Sequence, residues 1–479
     1  MTTNNDTRPA ALQATPQSTR ATAHPRAVLV IVLVSYFMIV LDNSIIFTGL
    51  PQIQKTMQLT PAALSWVQDA YTLVFGGLLL LGARAGDLLG RRRVFIVGLA
   101  LFGLASLLVG TAQSEAWIIG ARAFQGIGAA IVAPSSLSLI TATFAPGRER
   151  TRAVAAYGTT AGIGASVGMV AGGALASLLS WRVGFFINVP IAIVMIVLAL
   201  RFLPTSPIVR GRFDLLGAIT STLGMGALVY GIVEGGDHGW TAPGTLVPLA
   251  AGVVVLAIFV LNEWRAQQPI MPLRLFASRE RSGAAVARLL FAGTGIGFFF
   301  FTTQFLQGVY GWTPLQTGVA FLPMSLLQFG VSLFVARLTR RFGNAWLVAV
   351  GIAIVLAALI WLAQITPETS YLLGFAGPLA LFGIGQGLCF GPLTAAGIAS
   401  APAEDAGAAS GLVNTAHQLG STLGVAALTA IGAGAATLAD RVADSYTGGA
   451  VMVGIALVVT LIFILPADLA ARRSATNHH

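Results

Sequence analysis

Runs of about 20 mostly apolar residues recur along the whole chain, separated by short polar, arginine-bearing segments. They fall at 27–50, 63–83, 94–112, 116–139, 153–176, 183–203, 215–233, 245–261, 284–306, 317–336, 345–365, 371–395, 408–432 and 449–466. Each is long enough to cross a hydrocarbon core as a helix. None shows the two-residue alternation of a barrel strand, and open backbone is not tolerated in lipid. The pattern predicts an all-α polytopic membrane protein with 14 transmembrane helices. The first 26 residues, rich in Thr, Pro and Ala, predict a disordered tail. Residues 467–479 predict a second tail.

Composition agrees with the pattern. Of 479 residues, 56% are hydrophobic and 9% charged, against about 25% charged in soluble domains. So few charges cannot surface a soluble enzyme. The 56 glycines fit close helix contact in lipid. The single cysteine, Cys389, excludes an internal disulfide and sits in an apolar run, as a buried thiol does.

Charge sets orientation. An even number of spans puts both termini on one side. If that side is cytoplasmic, only Lys55, Arg182 and Arg441 lie outside and Arg122 lies within a helix. The rest of the 27 basic residues then face the cytoplasm. The net charge of +10 is thereby a matter of topology and anionic lipid, with no call for nucleic acid. The expected location is a bacterial-type inner (plasma) membrane with both termini cytoplasmic.

The chain also repeats itself. Gly90 follows Arg84 and Asp87 after the second span; Gly343 follows Arg337, Arg340 and Arg341 after the tenth. Gly164 and Gly168 of the fifth span match Gly420 and Gly424 of the thirteenth at nearly the same spacing. We expect an N-terminal six-helix bundle at 27–203, an inserted helix pair with linkers at 204–283, and a C-terminal six-helix bundle at 284–466. Paired six-helix repeats place a substrate site near midplane between the halves.

Charges inside the membrane are functional candidates. Asp42 lies roughly 12 Å from the outer end of its span, and Asp69 and Arg122 roughly 9 Å from theirs, at 1.5 Å per residue. They are expected at similar depth, able to meet in one polar cluster. Arg122 is always charged and needs a counter-charge, with Asp42 the first choice. Desolvation favours the neutral carboxyl and a nearby arginine the ionised one, so moving Arg122 would make Asp42 take or release a proton. A static ion pair is the plainer alternative, as is a solvated Asp69. Polar residues expected to line a cavity are Gln125, Gln304, Gln307, Gln386, Asn414, His417 and Glu234, although packing or solvated roles suit several of them as well. The Phe298–Phe301 run is expected in core or lipid, and Trp66 and Tyr71 in the interfacial belt. No acid lies between Asp405 and Asp440, through the thirteenth span.

The segment Gly82-Ala83-Arg84-Ala85-Gly86-Asp87-Leu88-Leu89-Gly90-Arg91-Arg92-Arg93 resembles motif A of the major facilitator superfamily. Arg122-Ala123-Phe124-Gln125-Gly126-Ile127-Gly128-Ala129-Ala130 resembles motif B. Leu41-Asp42-Asn43-Ser44 with Leu50-Pro51 resembles the first-helix motif of the fourteen-helix drug:proton antiporters. Gly164, Gly168, Gly172 and Gly173 are similar to the antiporter motif C, with Met169 where proline is usual. Further family-like runs are Trp181-Arg182 with Phe186-Ile187-Asn188-Val189-Pro190, and Pro272-Leu273-Arg274-Leu275-Phe276.

The resemblance implies exchange of a proton for a lipophilic compound by alternating access. It implies that Arg122 communicates with a proton-carrying Asp42, and that Asp87, Gly90, Arg91 and Arg92 form a conformational latch. No HExxH helix, GxxxxGK loop or Cys/His metal spacing occurs, so no enzyme, metal or cofactor is expected. The expected partners are small lipophilic substrates, monocationic or neutral, with protons and membrane lipids, around a monomer. The alternatives are a dedicated exporter of one endogenous metabolite, such as an antibiotic or siderophore, and a receptor or scaffold that no longer transports.

Overall fold

The computed structural model describes residues 24–145, 147–205, 214–266, 268–399, 401 and 406–476. Among them there is no strand. The helices are α1 Pro25–Met57, α2 Pro61–Leu89, α3 Arg91–Gly110, α4 Glu115–Thr143, α5 Arg148–Leu178, α6 Trp181–Phe186, α7 Asn188–Phe202, α8 Leu215–His238 and α9 Pro243–Arg265. They continue as α10 Arg279–Gly308, α11 Pro314–Ala320, α12 Leu322–Phe342, α13 Asn344–Leu362, α14 Gly377–Ile398, α15 Ala406–Gly432, α16 Leu438–Val459 and α17 Leu465–Thr476.

Each predicted span has its helix. The sixth is α6 and α7, broken at Ile187 three residues ahead of Pro190; the tenth is α11 and α12, broken at Phe321 two residues ahead of Pro323. Thirteen spans among the described residues are long and apolar enough to cross a membrane. The remaining one, the 27-residue α15, is more polar because it carries Asn414, His417, Gln418, Ser421 and Thr422. A helix that polar belongs against protein or a cavity, not lipid.

Helix ends run past the predicted ones. α1 continues through Pro51 to Met57, and the tail predicted at 467–479 is helical in α17 as far as Thr476. Hydropathy marks where lipid ends, whereas helix hydrogen bonds persist beyond it. Starts are set by local chemistry. Thr60 accepts from the Ala63 amide ahead of a helix opening on Pro61, and Thr313 with Gln316 completes a capping box around Pro314. The α2–α3 and α12–α13 junctions each turn on one glycine at positive φ, Gly90 at 94° and Gly343 at 96°. The two glycines that first betrayed the repeat thus make the same turn.

Helices α1 to α7 pack among themselves, as do α10 to α16. The pair α8 and α9 pack on each other, and α8 leans on α2 and α15. Glycines let backbones approach. A Cβ on Gly168 would fall 2.6 Å from Ser44 Cβ, and one on Gly172 2.7 Å from Ile45 Cα, so α5 lies tight on α1. Gly164 faces Val40 on the same side, while a Cβ on Gly173 would sit 2.4 Å from the Pro314 carbonyl of α11. In the other half, Gly420 and Gly424 bring α15 equally close to α10 at Leu289 and Gly293. Such contact holds helices by dispersion where no hydrophobic effect operates.

The halves meet on the side away from the arginine-rich α2–α3 turn. There Gln307 Nε2 donates to the Thr48 carbonyl at 2.9 Å, the Leu315 amide to Ser177 Oγ at 2.9 Å, and Phe47 stacks on Phe299. α2 and α15 form a flank, with Thr72 and Thr422 hydroxyls 2.7 Å apart. By contrast α4 packs against α1, α2, α3 and α5, and α14 against α10, α12, α13 and α15. Contacts between the halves also run along α2 and α15, where Gly411 lies against Leu80, and join α5 to α11 and α12.

Candidate functional site

Four helices deliver side chains to one buried cluster. Asp42 comes from α1, Ser106 from α3, Arg122 and Gln125 from α4, and Asn188 from the first turn of α7; all five are fully buried. Arg122 Nη1 donates to Asp42 Oδ2 at 3.0 Å and to Gln125 Oε1 at 2.6 Å. Its Nε donates to the Val67 carbonyl of α2 at 3.0 Å. Gln125 Nε2 donates to Asp42 Oδ1 at 2.9 Å and Ser106 Oγ at 2.8 Å. Asn188 Nδ2 reaches the same Oδ1 at 2.7 Å. The guanidinium lies 4.3 Å over the ring of Tyr71. Gln125 and Arg122 share a helix face three residues apart, which is why one helix supplies both.

The chemistry follows from donors and acceptors. All three partners of the Asp42 carboxylate are donors, so the site is made for the ionised form. A proton added at Oδ2 would point at a guanidinium, which has no acceptor in any rotamer. Protonation there therefore requires Arg122 to move away. At Oδ1 it requires an amide of Gln125 or Asn188 to turn. Ionisation of Asp42 is thus linked to the relative placement of α1, α4 and α7.

Other expected residues lie elsewhere. Asp69 is fully buried on α2, but neither carboxylate oxygen has a hydrogen-bond partner among the described residues, and it does not join the Asp42–Arg122 cluster. It lies one turn from Thr72, on the side of α2 that meets α15. Gln125, grouped by sequence with the cavity, is bonded to Asp42 instead. Gln304 is buried, its amide only 3.4 Å from the Phe300 carbonyl, and Gln307 ties α10 to α1. Glu234 pairs with His238 one turn on, at 3.0 Å near the end of α8. Gln386 and His417 are half-buried and Asn414 is exposed. The Phe298–Phe301 run packs in core, Phe298 stacked on Phe382 at 3.9 Å. Cys389 is a buried thiol donating to the Val348 carbonyl.

At the expected latch, Arg91 Nη1 donates to the Ser138 carbonyl of α4 at 3.4 Å and Arg92 Nη2 to the Leu200 carbonyl of α7. Arg84 Nη2 donates to Gln268 Oε1 at 2.7 Å. The side chain of Asp87 lies outside the described residues.

Two expectations need correction. Tyr71, placed by sequence in the interfacial belt, is fully buried beneath Arg122, because its position on α2 faces α4. Arg288, swept by the orientation count into the cytoplasmic set although it falls within the predicted span 284–306, is 2% exposed inside α10. Ser106 was missed outright, since a lone serine in an apolar run carries no signal until its neighbours are known. Asn188 was visible only as part of a family-like run.

Thirteen long apolar spans and one more polar helix enclosing a buried ion pair define a multi-pass membrane transporter of small molecules. The sequence profile of the Major Facilitator Superfamily matches residues 32–425. The chain belongs to that superfamily. It is 39% identical over 464 residues to a cephamycin export protein of Amycolatopsis lactamdurans, covering 96% of this chain and 95% of that one. It is 39% identical to a puromycin resistance protein of Streptomyces alboniger, covering 86% and 83% respectively. Among solved structures it shares its fold with a human organic anion transporter, at a TM-score of 0.61 and 15% identity over 91% of this chain and 99% of that one.

Proposed function

We propose that this protein is a proton-coupled exporter of lipophilic, drug-like compounds, working by alternating access as a monomer in a bacterial-type inner membrane. Both termini face the cytoplasm, with the arginine-rich face turned towards it. The observation that carries this reading is the buried Asp42–Arg122 pair, whose carboxylate meets only donors. As the α1–α7 body rocks against the α10–α16 body, a small shift of α4 against α1 within the first lets Asp42 take a proton. The reverse shift expels it. Asp87, Gly90, Arg91 and Arg92 latch the cytoplasmic side, and the unpartnered Asp69 at the α2–α15 flank is a second candidate proton site.

The energetics are adequate. One unit of pH difference supplies about 1.4 kcal/mol per proton, a tenfold substrate gradient for one-for-one exchange. The decisive experiment is dye flux in proteoliposomes with an imposed pH gradient. Accumulation should collapse with an uncoupler; uphill transport that ignores the gradient would end this reading. The dedicated exporter of one endogenous antibiotic is favoured by a specific observation, the near full-length likeness to a cephamycin export protein. A panel of dyes and drugs set against one native compound separates the two.

A further inference from the structure

A second intramembrane arginine lies in the other half, and it is built differently from the first. Arg288 of α10 is 2% exposed, yet no carboxylate pairs with it among the described residues. Its one hydrogen bond runs from Nη1 to the Phe390 carbonyl at 3.3 Å, and its Nε has no partner. The guanidinium is covered by the Phe390 ring at 4.0 Å. An uncompensated buried cation is costly, so its retention calls for an anion that is not part of the resting protein.

The surroundings fit such a guest. Phe390 is 46% exposed and meets the His417 ring edge-on at 5.9 Å. His417 Nδ1 is buried without a partner. On α15, Gly411 and Gln418 meet α2, and Gly420 and Gly424 meet α10. At 100° per residue Asn414 and His417 fall in the arc between those contacts, turned towards the space between the halves. Two turns along α10 from Arg288, Gly295 leaves room that a Cβ would fill, 3.0 Å from Gln386 Nε2. Gln386 shares the face of α14 that carries Phe390. One fixed positive charge, neutral donors around it and an aromatic cover are the parts of a site for a planar, singly charged anion.

We propose that Arg288, covered by Phe390 with His417 at that ring's edge and Gln386 beside Gly295 two turns further along α10, binds a carboxylate on the compound the protein exports. This deepens the export reading and rests on it. It also revises the charge expected of the cargo, from neutral or cationic to acidic or zwitterionic. An acidic lipid headgroup offers similar chemistry, and the test separates the two sources.

Purified full-length protein in phosphatidylcholine liposomes, with no pH gradient, is titrated with 1-pyrenebutyrate and with its uncharged amide. Binding is read by energy transfer from tryptophan. The acid should bind about tenfold more tightly than the amide. Arg288→Gln should bring the ratio to about one, and Arg288→Lys should keep part of it. Arg288→Gln should also leave the thermal midpoint unlowered, as no carboxylate is orphaned and the Phe390 carbonyl keeps the Thr394 hydroxyl; a merely structural arginine would lower it. Equal binding of acid and amide by the unaltered protein, or an undiminished preference in folded Arg288→Gln, overturns the proposal. So does a dependence on Arg288 that appears only when phosphatidylglycerol is added and reports on that lipid alone. Asp42→Asn should retain the acid preference while losing uphill transport, so failure of proton coupling and failure of this site are read separately.

Discussion

Replacing Asp42 by asparagine changes two atoms and tests the coupling cluster directly. The carboxylate receives Arg122 at Oδ2, and Gln125 and Asn188 at Oδ1. An amide set in its place must turn its own NH2 towards one of those donors. With nitrogen at the Oδ2 position, the two amide bonds survive and the bond from Arg122 is lost with the countercharge. The opposite choice loses two bonds and keeps a weaker one. Either way the guanidinium stays buried without an anion, at a cost of about 3–5 kcal/mol for breaking a buried pair from one side. The thermal midpoint of detergent-purified Asp42→Asn should fall by several degrees. Asp42→Asn combined with Arg122→Met should recover much of that loss, because no charge is left stranded. Function should not recover with it. In proteoliposomes with one unit of pH difference the unaltered protein should sustain about tenfold accumulation, while both variants equilibrate at no gradient yet still exchange labelled for unlabelled dye. Full uphill accumulation by Asp42→Asn would refute the reasoning, since no carboxyl group at that position would then be needed.

Asn188→Ala removes one donor from Asp42 and should cost about 1–3 kcal/mol, read as a lowered thermal midpoint, with pH-driven flux weakened but not abolished. Gly168→Val drives side-chain atoms into Ser44 of α1, where even a Cβ would stand 2.6 Å away; export should fall sharply, whereas Gly162→Ala, whose nearest neighbour would be 4.0 Å off, should be nearly silent in the same assay. Glu234→Gln breaks only a partly solvated pair with His238, so its effect on stability should stay within about 0.5 kcal/mol and dye flux should be unchanged.

The span count was legible because a bilayer leaves a strong record: every crossing needs about 20 apolar residues. The α2–α3 turn was legible because a glycine at φ 94° has few substitutes. Asp42 and Arg122 stood out as charges deep in apolar runs, and their pairing followed from charge and depth alone. Depth did not fix azimuth, however. Asp69 was expected at the same level, yet it occupies another face of α2, turned towards α15. Counting basic residues by side also misleads: Arg288 falls within the span predicted at 284–306, yet it was counted with the cytoplasmic arginines, and it is buried inside α10. Polar residues such as Ser106 and Gln125 acquire meaning only through neighbours brought from other helices.

The two most deeply buried arginines, Arg122 and Arg288, differ in their partners. Arg122 has an internal carboxylate, so its charge is spent on a group that can be protonated and released. Arg288 has none among the described residues, and on the proposal above its charge serves the cargo. If the compound leaves as a monoanion while one proton enters, two charges cross inward per cycle, and a potential of 100 mV adds about 4.6 kcal/mol to the drive. Had a monocation been carried, the exchange would have been electrically silent. Export of an acidic compound should therefore respond to an imposed potential as well as to pH, twice as steeply per proton as export of a neutral dye. A current-free exchange of that acid would place its recognition outside Arg288 and return the cargo to the cationic class.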